Sequence, residues 1–92
     1  MAKVIVIGGG PAGIMAAITA AKNNEVILIE RNNEIGKKLK LTGGGRCNIT
    51  NNRDIEEFFS KIVTNNKFLY SALYTFSNYQ LLEYLSEKGL EY

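Results

Sequence analysis

Two glycine triplets carry the chemistry that this 92-residue chain can do: Gly8-Gly9-Gly10, which closes the run "KVIVI", and Gly43-Gly44-Gly45, which stands before Arg46 and Cys47. Glycine loses more backbone freedom on folding than any other residue, so consecutive glycines are unfavourable unless bare backbone is required. In the first triplet, Gly8-x-Gly10-x-x-Gly13 follows a strand-like run and opens a helical one, the context that turns a weak pattern into a dinucleotide fingerprint. Gly8 permits the tight turn, Gly10 lets a pyrophosphate approach the backbone, and Gly13 lets the helix lie close to the strand. Pro11 suits the first helical position, and the amides beginning at Ala12 offer free N–H groups and partial positive charge to phosphates.

Glu30 lies 17 positions after Gly13, at the end of a second apolar run, "EVILIE". A carboxylate there accepts hydrogen bonds from the hydroxyls of an adenosine ribose and repels a 2′-phosphate, favouring FAD or NAD over NADP. Arg31 is placed to reach the adenine or a phosphate. These residues point to an ADP-containing cofactor.

The second triplet lies beyond that acid, in a basic stretch. Arg31, Lys37, Lys38, Lys40 and Arg46 fall within 16 residues that hold one acid, Glu34, whereas six of the nine acids lie at or beyond Asp54. Successive glycine amides form an anion-binding concavity, and the neighbouring cations neutralise charge. One cofactor needing bare backbone twice would set its AMP half at Glu30, its diphosphate at Gly10 and its remaining half along Gly43–Asn48. FAD meets that demand better than NAD.

The elements that must position these residues follow from periodicity. Lys3–Ile7 and Glu25–Glu30 are continuous apolar runs suited to parallel strands buried on both faces. Between them Ile14, Ala17, Ile18 and Ala21 recur at helical spacing, and Asn23-Asn24 ends the helix, giving a βαβ unit. Arg31–Arg53 has no periodicity and reads as a long Gly-rich loop. Beyond it, Asp54-x-x-Glu57 and Ser77-x-x-Gln80 read as capping boxes opening helices, with a further short helix over Phe68–Phe76. Gly89 is a helix stop, and the final "LEY" reads as the start of a strand. The expected fold class is therefore α/β: a Rossmann-like FAD-binding βαβ unit over 1–30, a Gly-rich cofactor loop over 31–53 and a helical segment over 54–92. Its sheet is incomplete, as in a fragment of a larger FAD domain or a chain completed by a partner.

Exclusions are equally informative. The chain has no histidine and a single cysteine, so His-based triads, CxxC pairs and intramolecular disulfides are excluded, and no metal site is expected. A net charge of +2 gives no reason to expect nucleic acid or a membrane as partner. The uncharged stretch between Lys3 and Lys22 is broken by four glycines and a proline, which does not suit a targeting segment, so a cytoplasmic location is expected. The tyrosines at 70, 74, 79, 84 and 92 read as amphipathic packing rather than base-stacking platforms.

"VIVIGGGPAG", "IERNNEIGKKLKLTGGGRCNITN" and "FSNYQLLEYLSEKGLEY" together resemble the N-terminal part of the BaiN/YhiN-like bacterial flavoproteins, NAD(P)/FAD-dependent oxidoreductases, over essentially the whole chain. The segment from Gly36 to Asn51 is its most specific part. By position, Gly8, Gly10, Gly13 and Glu30 match the family's FAD fingerprint. Gly36, Lys38, Gly44, Gly45, Arg46, Cys47 and Asn48 match its second FAD-contacting loop. The resemblance implies FAD as cofactor and hydride transfer from a reduced nicotinamide, NAD(P)H, through the flavin to an organic small molecule. It also implies longer family members whose remaining chain completes the FAD domain, so that this stretch alone is expected to be inactive. Cys47, with no partner cysteine, reads as a small packing residue under the flavin or loop. Arg46 serves either a flavin phosphate or the loop's own carbonyls. No general acid or base is legible. Two other classes stay open: a non-catalytic NAD- or FAD-sensing module, and a flavin-dependent RNA-modifying enzyme.

Overall fold

The structure, a computed structural model, describes residues 1–45 and 48–91. It divides into two compact units, Met1–Asn48 and Ile49–Tyr92.

The first unit is α/β. Strand β1 (Lys3–Ile7) pairs in parallel with β2 (Glu25–Ile29), in a register that sets Lys3 opposite Glu25 and Ile7 opposite Ile29. Helix α1 (Pro11–Ala20) makes the crossover and packs on both strands. The ladder runs on into the glycine loop, where the Gly8 amide donates to the Ile29 carbonyl at 2.8 Å. Asn24 stops the helix: its Nδ2 donates to the Ala20 carbonyl, while its Oδ1 accepts from the Ala2 amide, each at 3.0 Å.

Three expectations are corrected in this unit. The strands are covered on one face rather than two. Side chains alternate across a strand, and Val4, Val6, Val26 and Leu28 are half-buried. Ile5, Ile7, Ile27 and Ile29 are 57, 83, 43 and 50% exposed, because α1 shields only the valine side. The helix is also rotated from the expected stripe: Gly13, Ile14, Ala17 and Ala20 turn inward, while Ile18 is exposed and Ala21 lies past the helix end. The expected structureless loop contains a turn of helix, α2 (Lys37–Lys40), and a 3₁₀ turn over Thr42–Gly45. Gly36 makes this possible. At φ +69° it enters α2 in a conformation that favours glycine, and its carbonyl accepts from the Lys40 amide.

The second unit is helical: α3 (Ile55–Lys61), a 3₁₀ turn over Asn66–Leu69 running into α4 (Tyr70–Thr75), and α5 (Asn78–Glu87). Phe59, only 7% exposed, is its apolar centre. Tyr70 meets it edge-on at 4.5 Å and Tyr74 stacks on it at 5.4 Å, so these two tyrosines pack as expected. Ser77 and Gln80 form the expected capping box at the start of α5. At its end Gly89, with φ +94°, and the bonds Gly89 N–H to Ser86 and Leu90 N–H to Leu85 make a Schellman stop.

The box expected at Asp54 is absent. Asp54 is the N-cap of α3, yet its carboxylate makes no capping bond; Oδ1 instead accepts from the Tyr79 hydroxyl at 2.9 Å. The helix expected over Phe68–Phe76 is split, its first turn being 3₁₀ and entered through Asn65 at φ +53°. Leu90 and Glu91 carry no strand; Tyr92 lies outside the described residues.

Candidate dinucleotide site

Bare backbone in the first loop has a different cause at each glycine. Gly13 serves the protein's own packing: a Cβ there would collide with the Gly8 carbonyl oxygen and stand 3.6 Å from Val6 Cγ1. Gly8 serves the turn, with φ at +103°. Gly10 serves neither. Its φ of −81° and ψ of −175° are open to any residue, and a Cβ built on it meets nothing within 4 Å. Space held clear by a glycine that the fold does not require, in front of a helix start, leaves room for an anionic group such as a phosphate.

That helix start is bare. Gly10 is the N-cap of α1 with no side-chain cap, Pro11 has no N–H, and the first turn holds no acid. The amides of Ala12 and Gly13 therefore face forward without an intrahelical partner, and the helix dipole adds positive potential there.

Glu30 sits just past β2, half-buried, with both carboxylate oxygens engaged by backbone. Oε2 accepts from the Asn32 amide and Oε1 from the Gly9 amide, each at 2.8 Å. These N–H groups, Asn32's foremost and then Gly9's, hold the Glu30 carboxyl below its ordinary value of 4.5. It is therefore ionised at neutral pH. A carboxylate has about four acceptor positions, so beside the two backbone bonds and the Asn32 side chain there is room for a ribose hydroxyl.

Gly9 is the residue sequence reasoning missed. It is buried, its N–H holds Glu30, and its carbonyl accepts from the Gly36 amide at 2.7 Å. The structure thus brings together Gly8, Gly10, Pro11, Ala12, Gly13, Glu30 and Gly36. Arg31 and Lys38 are exposed and make no side-chain hydrogen bond with that cluster among the described residues. Lys40 pairs instead with Glu34 at 3.1 Å, on the surface. Gly44, at φ +59° and with open space before it, and Gly45 lie in the 3₁₀ turn, and Asn48 is exposed. Arg46 and Cys47, also expected at the site, lie outside the described residues.

A separate cavity of about 350 Å³ opens in the second unit, floored by Phe58, Ile62, Leu69 and Leu73 and edged by Arg53 and Lys61. Its lining is mostly apolar, so the glycine loop, with its uncapped helix start, is the better cofactor candidate.

Comparison with known proteins decides the family. A family model described as HI0933-like protein Rossmann domain matches residues 2–92. The chain belongs to the HI0933-like Rossmann domain family. The resemblance drawn from the glycine segments therefore holds, as does the α/β fold class. This HI0933-like domain is 33% identical to a ribosomal RNA dihydrouridine synthase of Haemophilus influenzae, over 96% of its own length and 22% of the relative's. It is 48% identical to a 3-dehydro-bile acid delta(4,6)-reductase of Clostridium scindens over 55% of its length and 13% of the relative's. It is 55% identical to an NADH oxidase of Thermoanaerobacter brockii over 42% of its length and 6% of the relative's. The HI0933-like chain thus spans about a fifth or less of these relatives. Among the described residues, no helix is long and apolar enough to cross a membrane.

Proposed function

We propose that this chain is the cofactor-binding, N-terminal portion of a FAD-dependent oxidoreductase. The observation that carries the reading is Gly10: a glycine with ordinary backbone angles and open space before it, set at an uncapped helix start. Residues there fit a dinucleotide. Gly8, Gly10, Pro11, Ala12 and Gly13 receive the diphosphate, and Glu30, held ionised, accepts from the adenosine ribose. In this reading the flavin half is assigned, by the positions that match the family's second loop, to Gly36, Lys38, Gly44, Gly45, Arg46, Cys47 and Asn48, and the adenine end to Arg31. FAD, when bound, supplies two-electron hydride transfer from NAD(P)H to an acceptor. The chain's own part is to bind and orient it.

The names of two relatives narrow the acceptor. A delta(4,6)-reductase of a 3-dehydro substrate and a dihydrouridine synthase share the addition of two hydrogens across a carbon–carbon double bond conjugated to a carbonyl. The acceptor we favour is a small molecule of that class. In net terms, substrate, NAD(P)H and one proton yield the dihydro product and NAD(P)+.

A second reading also has a specific observation behind it. Similarity to the ribosomal RNA dihydrouridine synthases of Haemophilus influenzae and Escherichia coli spans 96% and 94% of this chain. Under that reading the acceptor is a uridine in ribosomal RNA, and the small-molecule substrate gives way to nucleic acid. Anaerobic oxidation of NADH or NADPH by the intact, FAD-loaded protein separates the two. Turnover that depends on a conjugated steroid dienone acid supports the first, and turnover that depends on ribosomal RNA supports the second. FAD binding with no turnover on either would leave a sensing module in place of an enzyme.

A further inference from the structure

Gly9 stands at the x position of the fingerprint, where neither the turn nor the phosphate approach asks for glycine. Its φ lies outside the left-handed region, so conformation does not explain it either. Space does. A Cβ on Gly9 would stand 2.9 Å from Ile35 Cγ2, 3.1 Å from Glu30 Oε1 and 3.3 Å from Glu30 Cγ. The first of these is closer than real Cβ atoms come, so Ile35 would have to move.

What this close packing secures is a pair of backbone bonds on one residue. The Gly9 N–H fixes Oε1 of Glu30, and the Gly9 carbonyl fixes the amide of Gly36, 27 residues along the chain. Gly36 is itself buried, and it starts α2, the turn of helix that leads to the 3₁₀ turn of the second triplet. Ile35, the residue that presses on Gly9, immediately precedes it.

We propose that Gly9 is a positioning residue that couples the two glycine-rich segments, setting the ribose-binding carboxylate and the second cofactor loop in a fixed relation so that one long dinucleotide fits both. The proposal rests on the FAD reading above. A Cβ at position 9 requires Ile35 to give way, and because Ile35 adjoins Gly36 the second segment is expected to shift with it. The Glu30 carboxylate, at the end of a flexible side chain, yields more easily. A ligand that uses the second segment therefore suffers more than one that uses only the first.

The test compares FAD with ADP on the intact protein. Gly9→Ala is expected to weaken FAD at least about tenfold, the equivalent of one decade in Kd, while ADP changes by no more than about threefold. Ile35→Ala in the Gly9→Ala background removes the Cγ2 that the new methyl meets, and is expected to restore most of the lost FAD affinity. A merely structural role for Gly9 would lower both ligands together and show no such rescue. Gly36→Ala strains a residue at φ +69° while leaving the Gly9–Glu30 bond in place. It is expected to reproduce the FAD-selective loss, and it decides the matter if Gly9→Ala does not fold. Equal losses of FAD and ADP, or no loss of either, overturn the coupling while wild-type FAD binding keeps the function reading intact. A wild-type protein that binds ADP and NAD but not FAD removes the function reading, and the coupling falls with it.

Discussion

Gly10 and Gly13 belong to one fingerprint, yet the structure gives them opposite tasks, and substitution by alanine separates those tasks. At Gly13 the new methyl runs into the Gly8 carbonyl oxygen, with the carbonyl carbon 3.0 Å away, and the obstacle is backbone rather than a side chain that can swing aside. Overpacking of this kind costs about 1–3 kcal/mol. The gain from replacing glycine by alanine within a helix is about 1 kcal/mol, so with a backbone collision at the upper end of that range the net destabilisation expected is about 2 kcal/mol. At Gly10 the methyl enters open space at extended backbone angles. Losing glycine as N-cap costs about 0.5–1 kcal/mol. The reduced entropy of the unfolded chain returns about 0.4–1 kcal/mol, leaving stability nearly unchanged. The same methyl stands where the diphosphate approaches the helix start, so FAD affinity is expected to fall at least about tenfold. Urea denaturation and FAD titration of both variants of the intact protein give the answer. Wild-type FAD affinity in Gly10→Ala, or wild-type stability in Gly13→Ala, would refute this division of labour.

Three further outcomes follow from named contacts. The Glu30 carboxyl is held below 4.5 in the folded chain, so its bonds to Asn32 and Gly9 are fully present above that pH and are lost as pH falls through the lowered folded value. ADP affinity should therefore drop in acid in the wild type, and Glu30→Gln, weaker throughout, should lose that component of the pH dependence; identical acid profiles would contradict it. Asn78 is 4% exposed and donates Nδ2 to the carbonyls of Asn51 and Arg53 at 2.7 and 2.8 Å. Asn78→Ala should cost about 2 kcal/mol by urea unfolding, and Asn78→Asp more, since it sets a carboxylate against two carbonyls. Ser77→Ala should cost about 1 kcal/mol by removing the capping box of α5, and a value near zero would mean that the box is redundant.

Short-range order was legible in the sequence, and long-range partnership was not. Strand, turn and helix were read from "KVIVIGGGPAG" because the pattern and its consequence lie within one βα turn. The Ser77 box and the Gly89 stop were legible for the same reason. Asp54 offered an equally good capping pattern and failed it, because a hydroxyl 25 residues away, on Tyr79, competes for the carboxylate. Asn78 gave no local sign, as its partners lie 25 and 27 residues off. At Gly9 there was a signal: a triplet where the fingerprint needs glycine at only two of three positions. The surplus glycine marked a close approach, but only the fold identifies Ile35 and Glu30 as what approaches. Strand burial was misjudged for a different reason. An all-apolar run says both faces avoid water, whereas the described residues supply α1 against only one of them, leaving Ile5, Ile7, Ile27 and Ile29 uncovered.

The visible absorption spectrum of the purified intact protein, followed by identification of the nucleotide released on denaturation, tests the central claim most directly. The account predicts a two-band flavin spectrum and FAD in the released fraction. A protein that stays colourless after incubation with FAD, and that releases or binds NAD instead, would contradict it.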